Sequence, residues 1–265
     1  MSSSINSLDK INQSQESFPV SKVQVCGNSE EYVILGGKKY HRHELYTAFA
    51  GTFQTERYAA PPKHEFGNAS AYGLAGFAIT TVILGMMLTG GGGVKTTNVI
   101  IGCAMFVSGL SLFLSGIWEF FIGNTFAYTT FTSFGGFWMA FGAISIPSFG
   151  IAAAYGEDTV QLNNAIGLWL IGWVIFVTML FTFTLKATLA FILTFLSLDI
   201  TFILLVAFYM TGNSLIQYVS SGFAIFTALL AFYNMYAGIA TPTNSYIMIP
   251  VVPMPDFSKK KPNPN

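Results

Sequence analysis

Residues 123–138 read GNTFAYTTFTSFGGFW. They stand at the head of a stretch without Lys, Arg, Asp or Glu that lasts until Glu157. At helical spacing the segment and its continuation divide into two faces. Thr129, Ser133, Gly136, Ala140 and Ala143 make a small face; Phe134, Phe137, Trp138 and Phe141 make an aromatic one. Among lipids, a face of small side chains lets a neighbouring helix backbone come close. The aromatic face then either meets lipid or narrows a path between helices. Ordinary packing accounts for each residue singly, and only the stretch as a whole points further.

The composition agrees with a lipid setting. Of 265 residues, 52% are apolar and only 9% charged, against about 25% charged in soluble domains. The expected class is an all-α integral membrane protein. Twelve basic and twelve acidic residues cancel, so nothing points to nucleic acid as a partner. Cys26 in the polar leader and Cys103 in an apolar span do not form a disulfide framework. The first 17 residues are polar and lack an apolar core, which predicts no cleavable signal peptide.

Residues 1 to about 30 are too polar for a packed core and are expected to be disordered. Tyr32–Leu35, Gly36-Gly37 and Lys38-Lys39-Tyr40 predict a hairpin. His43–Ala50 suits one or two helical turns, and Ala59-Ala60-Pro61-Pro62 stops any helix ahead of the membrane. Six spans follow, near 70–89, 98–118, 125–153, 161–185, 187–211 and 215–240, each with the ~20 apolar residues a bilayer requires. This divides the chain into a leading tail (1–67), a six-helix membrane domain (68–241) and a closing tail (242–265). With both termini in the cytoplasm, eleven of the twelve Lys and Arg lie inside and Lys95 alone outside. On the second span, Gly102, Gly109 and Gly116 form one small stripe and Ala104, Ser108, Ser111 and Ser115 another, which predicts close helix packing.

Asp199 lies in the middle of the fifth span. A carboxylate at that depth costs ~2.5–3.5 kcal/mol on insertion scales, so it faces a cavity or a partner. Two readings stand: a proton-coupling residue, or an acid hydrogen-bonded to a neighbouring helix. Glu119 closes the second span, either at the mouth of a pathway or as an interfacial charge in water. Asn68 and Asn124 open the first and third spans at N-cap positions, where free N–H groups and the helix dipole favour an anion. His41, Arg42, His43 and the more distant His64 lack the Cys or carboxylate partners of a metal site, so no metal or other cofactor is expected. No G-x-S-x-G, P-loop, H-E-x-x-H or G-x-G-x-x-G occurs, and nothing supports an enzyme.

The order of motifs resembles one family. W-E-F-x-x-G-N-T-F at 118–126 and T-x-F-T-S-F-G-G-F-W at 129–138 are similar to the acetate uptake transporters, a family also known for ammonia export in fungi. Leu162–Gly167, Trp173–Phe176, Leu185-Lys186, Thr243–Tyr246 and Ala48–Thr52 continue the likeness. The resemblance implies six transmembrane helices per subunit, a hexameric ring in the plasma membrane, and a path through each subunit for acetate or a similar monocarboxylate. It also implies a hydrophobic constriction at the side chains matching Phe77, Phe134 and Leu198. The candidate path further takes in Asn68, Gly73, Leu74, Thr81, Glu119 and Asn124, with Asp199 as the candidate for coupling to protons. One departure concerns the signature N-P-A-P-L-G-L, which reads Asn68-Ala69-Ser70-Ala71-Tyr72-Gly73-Leu74 here. Without either proline the first helix must start differently. The leading expectation is a transporter or channel for acetate and similar short monocarboxylates, linked to protons or to ammonium release. The alternative is a non-transporting membrane sensor of acetate or pH.

Overall fold

The computed structural model describes residues 24–27, 31–35, 37–48 and 66–255, in two units divided after Glu65. In the first, strands β1 (Gln24–Cys26), β2 (Tyr32–Leu35) and β3 (Lys38–His41) form an antiparallel sheet in that order. Tyr32 faces His41 in the register, and their rings lie 4.6 Å apart. Helix α1 (Arg42–Ala48) follows directly. The hairpin and the short helix match the sequence reading. Strand β1 does not: it falls within the stretch expected to be disordered, where Gln24, Val25 and Cys26 pair with Ile34, Val33 and Tyr32. The Ala59–Pro62 break and His64 lie outside the described residues.

The second unit is helical: α2 (Ala69–Leu88), α3 (Val99–Phe121), α4 (Thr125–Ile144), α5 (Thr159–Thr184), α6 (Leu189–Thr211) and α7 (Ser214–Ile239). Five of them are long and apolar enough to cross a membrane, and the protein is a multi-pass membrane protein. The exception is α4, whose 20 residues would extend about 30 Å but include Thr125, Thr129, Thr130, Thr132 and Ser133. It is also shorter than the 125–153 span the sequence predicts. Pro147 lacks an N–H and disfavours helix at the residue before it, and Gly150 adopts φ +68°. Residues beyond Ile144 form two 3-10 turns, Pro147–Phe149 and Ala153–Tyr155, whose apolar side chains had lengthened the apparent span. The α5–α6 connection is likewise longer than Lys186 alone, running over residues 185–188.

Side chains fix several helix starts. Asn124 Oδ1 accepts from the Ala127 N–H (3.2 Å), Asp158 Oδ1 from Gln161 (2.9 Å), Thr188 Oγ1 from Phe191 (3.3 Å) and Asn213 Oδ1 from Leu215 (2.9 Å). Asn68 occupies the cap position of α2 without capping it. Its Nδ2 instead donates to the Gly238 carbonyl at the end of α7 (3.0 Å). That long-range tie fixes a helix start that has no proline to shape it.

The helices pack in the neighbour order α4-α3-α2-α7-α6-α5. The two stripes on α3 face different partners. A Cβ on Gly116 would come within 2.6 Å of the Thr132 backbone, and one on Gly109 within 2.6 Å of Met139, so this stripe holds α4. Gly102 has open space and does not contribute. Ser111 and Ser115 face α2 instead, where a Cβ on Gly76 would strike Ser111 Oγ at 1.9 Å and the Val107 carbonyl at 2.2 Å. Close packing is thus met, and its partner glycines Gly76 and Gly135 lie on the neighbouring helices. Within α3, Cys103–Leu110 is π-helical, a widening nothing in the composition foretells.

The two faces of α4 separate as the spacing predicts, and the aromatic one is the more buried. Phe134, Phe137 and Trp138 are buried, while Gly136 and Ala140 are exposed and no atom approaches Gly136 within 4 Å. The close approach on α4 is made by Gly135, one residue round the helix, whose Cβ would lie 2.7 Å from Phe113 N. The aromatic face closes the bundle against α5 and α6: Phe137 stacks on Trp169 (5.2 Å, 4°) and meets Phe202 edge-on (5.1 Å). After α7 the chain returns along the start of α6, where Leu189 N donates to Val252 O (2.9 Å) and Met254 N to Ala187 O (3.0 Å).

Candidate functional site

Among the described residues, two neighbouring cavities between the helices share part of their walls. The larger, about 260 Å³, sits among the first turns of α2, α4 and α6, with Ser70, Leu74, Asn124, Thr130, Phe191 and Thr194 in its wall. The smaller, about 50 Å³, lies towards the other ends of the same helices and the start of α7, with Thr81, Leu88, Trp138, Thr201, Ser220 and Ser221 in its wall. Three side chains belong to both walls: Phe77, Phe134 and Leu198. All three are buried, and the Phe77 and Phe134 rings meet at 6.2 Å. Trp173 (6.0 Å), Phe176 (6.3 Å) and Phe202 (6.3 Å) back the Phe134 ring. What separates the cavities is therefore apolar and aromatic. Neither wall includes a Lys, Arg, Asp or Glu among the described residues. Such a site accepts a small solute with an apolar part and offers no fixed charge to hold an ion tightly.

Of the other sequence-predicted residues, Leu74 and Asn124 line the large cavity and Thr81 the small one. Asn68 borders an open groove with Tyr72, Ser115 and Trp118 at the α2 start. Gly73 lines neither cavity and lies against Ser115, 3.1 Å from where its Cβ would be. Glu119 is only 2% exposed, so it is not an interfacial charge in water. Its Oε1 accepts from Ser70 Oγ at 2.6 Å, and Ser70 lines the large cavity. Asp199 is 9% exposed and lines neither cavity. Thr178 Oγ1 of α5 lies 3.0 and 3.1 Å from its two carboxylate oxygens. Leu198 and Asp199 thus face different neighbours, one the cavities and one α5.

Sequence reading missed Ser70, although it stands where the family signature has alanine. It also missed Thr130, and the donors Ser220 and Ser221 on α7. An isolated Ser or Thr in an apolar helix carries no positional signal. An aromatic chain formed by Phe66, Trp118, Phe121, Phe120 and Tyr128 borders the same end as the large cavity, as interfacial aromatics do.

Membrane helices that enclose two cavities sharing one apolar ring have the architecture of a channel or transporter. The chain belongs to the GPR1/FUN34/yaaH family, whose profile matches residues 49–256. It is 41% identical to ammonia transport outward protein 2 of Saccharomyces cerevisiae over 251 residues, 95% of this chain and 88% of that one. It is 37% identical to acetate permease A of Emericella nidulans, covering 78% and 73% of the two chains. Among solved structures it is similar to the bacterial acetate channel SatP, with a TM-score of 0.63 and 26% identity, over 71% of this chain and 99% of that one.

Proposed function

We propose that this protein carries acetate and similar short monocarboxylates across a membrane, and that Phe77, Phe134 and Leu198 are its gate. The observation that carries the reading is that these three side chains alone are common to both cavity walls. An apolar ring holds back hydrated ions by dewetting, while a small acid or an anion with an apolar methyl group passes. Leu74, Asn124 and Thr81 lie along the path, with Asn68 and the Ser70–Glu119 pair at its wider end and Gly73 admitting α3 close beside it. The names of the relatives, acetate permease and acetate channel, support the substrate class.

Further parts of the reading rest on position. Helix α4 is the sixth crossing, since Thr132 and Met139 pack against α3 along its length. Six crossings and the Lys/Arg distribution support a cytoplasmic position for both termini, with the large cavity on that side and the plasma membrane as the site. The exposed Gly136 and Ala140 on α4 suit a homo-hexamer, because small residues are what a neighbouring subunit's helix packs against. Asp199, beside Leu198 and held by Thr178, is the candidate for linking flux to protons. A link to ammonium export rests on the name of a relative alone. Uptake of labelled acetate into vesicles holding the purified protein, with and without a pH gradient, tests the reading. Flux above protein-free vesicles is expected, and its absence would leave a sensor that binds without transporting.

A further inference from the structure

A seam of polar side chains joins α6 to α7 beside Leu198. The two helices run antiparallel, turned by Gly212 and Asn213. Ser220, Thr227 and Asn234 stand seven apart on α7, a spacing that keeps one helix face toward a partner. Each reaches α6. Asn234 Nδ2 donates to Thr194 Oγ1 (3.0 Å), Thr227 Oγ1 to Ser197 Oγ (2.8 Å) and Ser220 Oγ to the Thr201 carbonyl (3.2 Å). The outer two rungs border the cavities: Thr194 lines the large one, Thr201 and Ser220 the small one. The middle rung borders neither. Ser197 and Thr227 are 3% and 0% exposed, and Ser197 immediately precedes Leu198.

Stability alone does not call for this seam. Hydrogen bonds between membrane helices contribute little on average, because separated helices find other partners. Thr227 Oγ1 also lies 2.8 Å from the Phe223 carbonyl of its own helix, and Asn234 Nδ2 lies 2.9 Å from the Leu230 carbonyl. Apolar side chains of similar size would fill the same space with no polar atom to satisfy. What a buried polar pair adds is register, since it is satisfied at one alignment of two helices and broken at the next. Register matters most at Leu198. Phe134 is held by the rings of Trp173, Phe176 and Phe202. Leu198 has a flexible aliphatic side chain, and its reach into the ring depends on where α6 stands.

We propose that the Ser197–Thr227 pair positions the gate: it fixes α6 on α7 so that Leu198 closes against Phe77 and Phe134, and through Leu198 it sets the size limit on the solute. This rests on the gate reading and adds which residues hold one of its members in place. Neither side chain meets the solute. Ser197 Oγ donates to the Thr194 carbonyl (3.1 Å), and its oxygen accepts from Thr227, so both hydroxyls are engaged within the seam.

The test uses the full-length protein in vesicles, with labelled acetate and butyrate as probes and the ratio of their initial uptake rates as the readout. Ser197→Ala should lower the acetate-to-butyrate ratio about threefold, the factor that an average interhelical hydrogen bond contributes to an equilibrium. Thr227→Val should do the same, and Thr227→Ser should keep the wild-type ratio. The double variant should fall no further than either single one, because the pair is broken once. In a Leu198→Ala background, Ser197→Ala should leave the ratio where Leu198→Ala alone puts it, because the pair acts through that side chain. A purely structural role would lower the thermal midpoint and leave the ratio unmoved. Thr227→Ala replaces the valine variant if that one assembles poorly. A ratio unmoved in the single variants, effects that multiply in the double variant, or a further fall in the Leu198→Ala background overturns the positioning role. The gate itself still stands if Leu198→Ala alone shifts the ratio, and falls together with the positioning role if it does not.

Discussion

Replacing Phe134 with alanine tests the gate most directly. The side chain is 4% exposed and its ring lies within 6.0–6.3 Å of Phe77, Phe137, Trp173, Phe176 and Phe202. Losing a buried phenylalanine ring costs about 3–5 kcal/mol where the neighbours cannot collapse. Five aromatic side chains braced against one another resist collapse, so the space stays open and the cavities of about 260 and 50 Å³ run together. One methylene in a fitted apolar site discriminates by about 1–3 kcal/mol. Butyrate has two more than acetate, so the acetate-to-butyrate flux ratio should fall about tenfold or more, with propionate between. Leu198→Ala should act in the same direction. Trp173→Ala removes a ring that touches Phe134 but lines neither cavity, so it should lower stability and leave the ratio within about twofold. The assay is initial uptake of the three labelled acids into vesicles, with assembly checked by size-exclusion chromatography in detergent. If Phe134→Ala assembles, carries acetate and keeps the wild-type ratio, Phe134 is a packing residue and the gate assignment is wrong.

Three further perturbations follow from the packing and the polar contacts. Gly135→Ala should destabilise by about 1–3 kcal/mol, because its Cβ would meet the α3 backbone at 2.7–2.8 Å; Gly136→Ala, with open space, should leave the thermal midpoint within a degree or two. Equal midpoints for the two would refute the register of α4 on α3. Ser70→Ala removes the hydroxyl that donates to the buried Glu119 side chain and should cost about 1–3 kcal/mol, while Ser70→Thr should retain most of it. A neutral Ser70→Ala would mean that Glu119 is satisfied without it. Asp199→Asn keeps an acceptor for Thr178, so folding and assembly should survive while the pH dependence of uptake flattens. A well-folded variant with the wild-type pH profile would end the coupling role.

What the sequence discloses is whatever repeats at the helix period. Gly109 and Gly116 are seven apart and meet Met139 and Thr132, themselves seven apart, so one stripe on α3 already implies its contact with the next helix. The aromatic face of α4 is readable for the same reason, because four large rings at one helical angle need a buried place. Three features escape such reading, each for a different cause. The end of α4 is hidden because Ile146, Phe149 and Ile151 keep the composition apolar beyond Ile144, where the helix stops. The burial of Glu119 is hidden because it depends on Ser70, 49 residues away, and no local pattern reports a partner at that distance. The unpaired hydroxyl in the wall of the large cavity is hidden more deeply, since Thr130 and Thr132 look alike in sequence. Thr132 spends its hydroxyl on the Tyr128 carbonyl and Thr130 does not. Two threonines of one helix, two residues apart, are thus separated only by which wall each faces. Thr130 faces the large cavity and Thr132 faces α3, a difference that no composition reports.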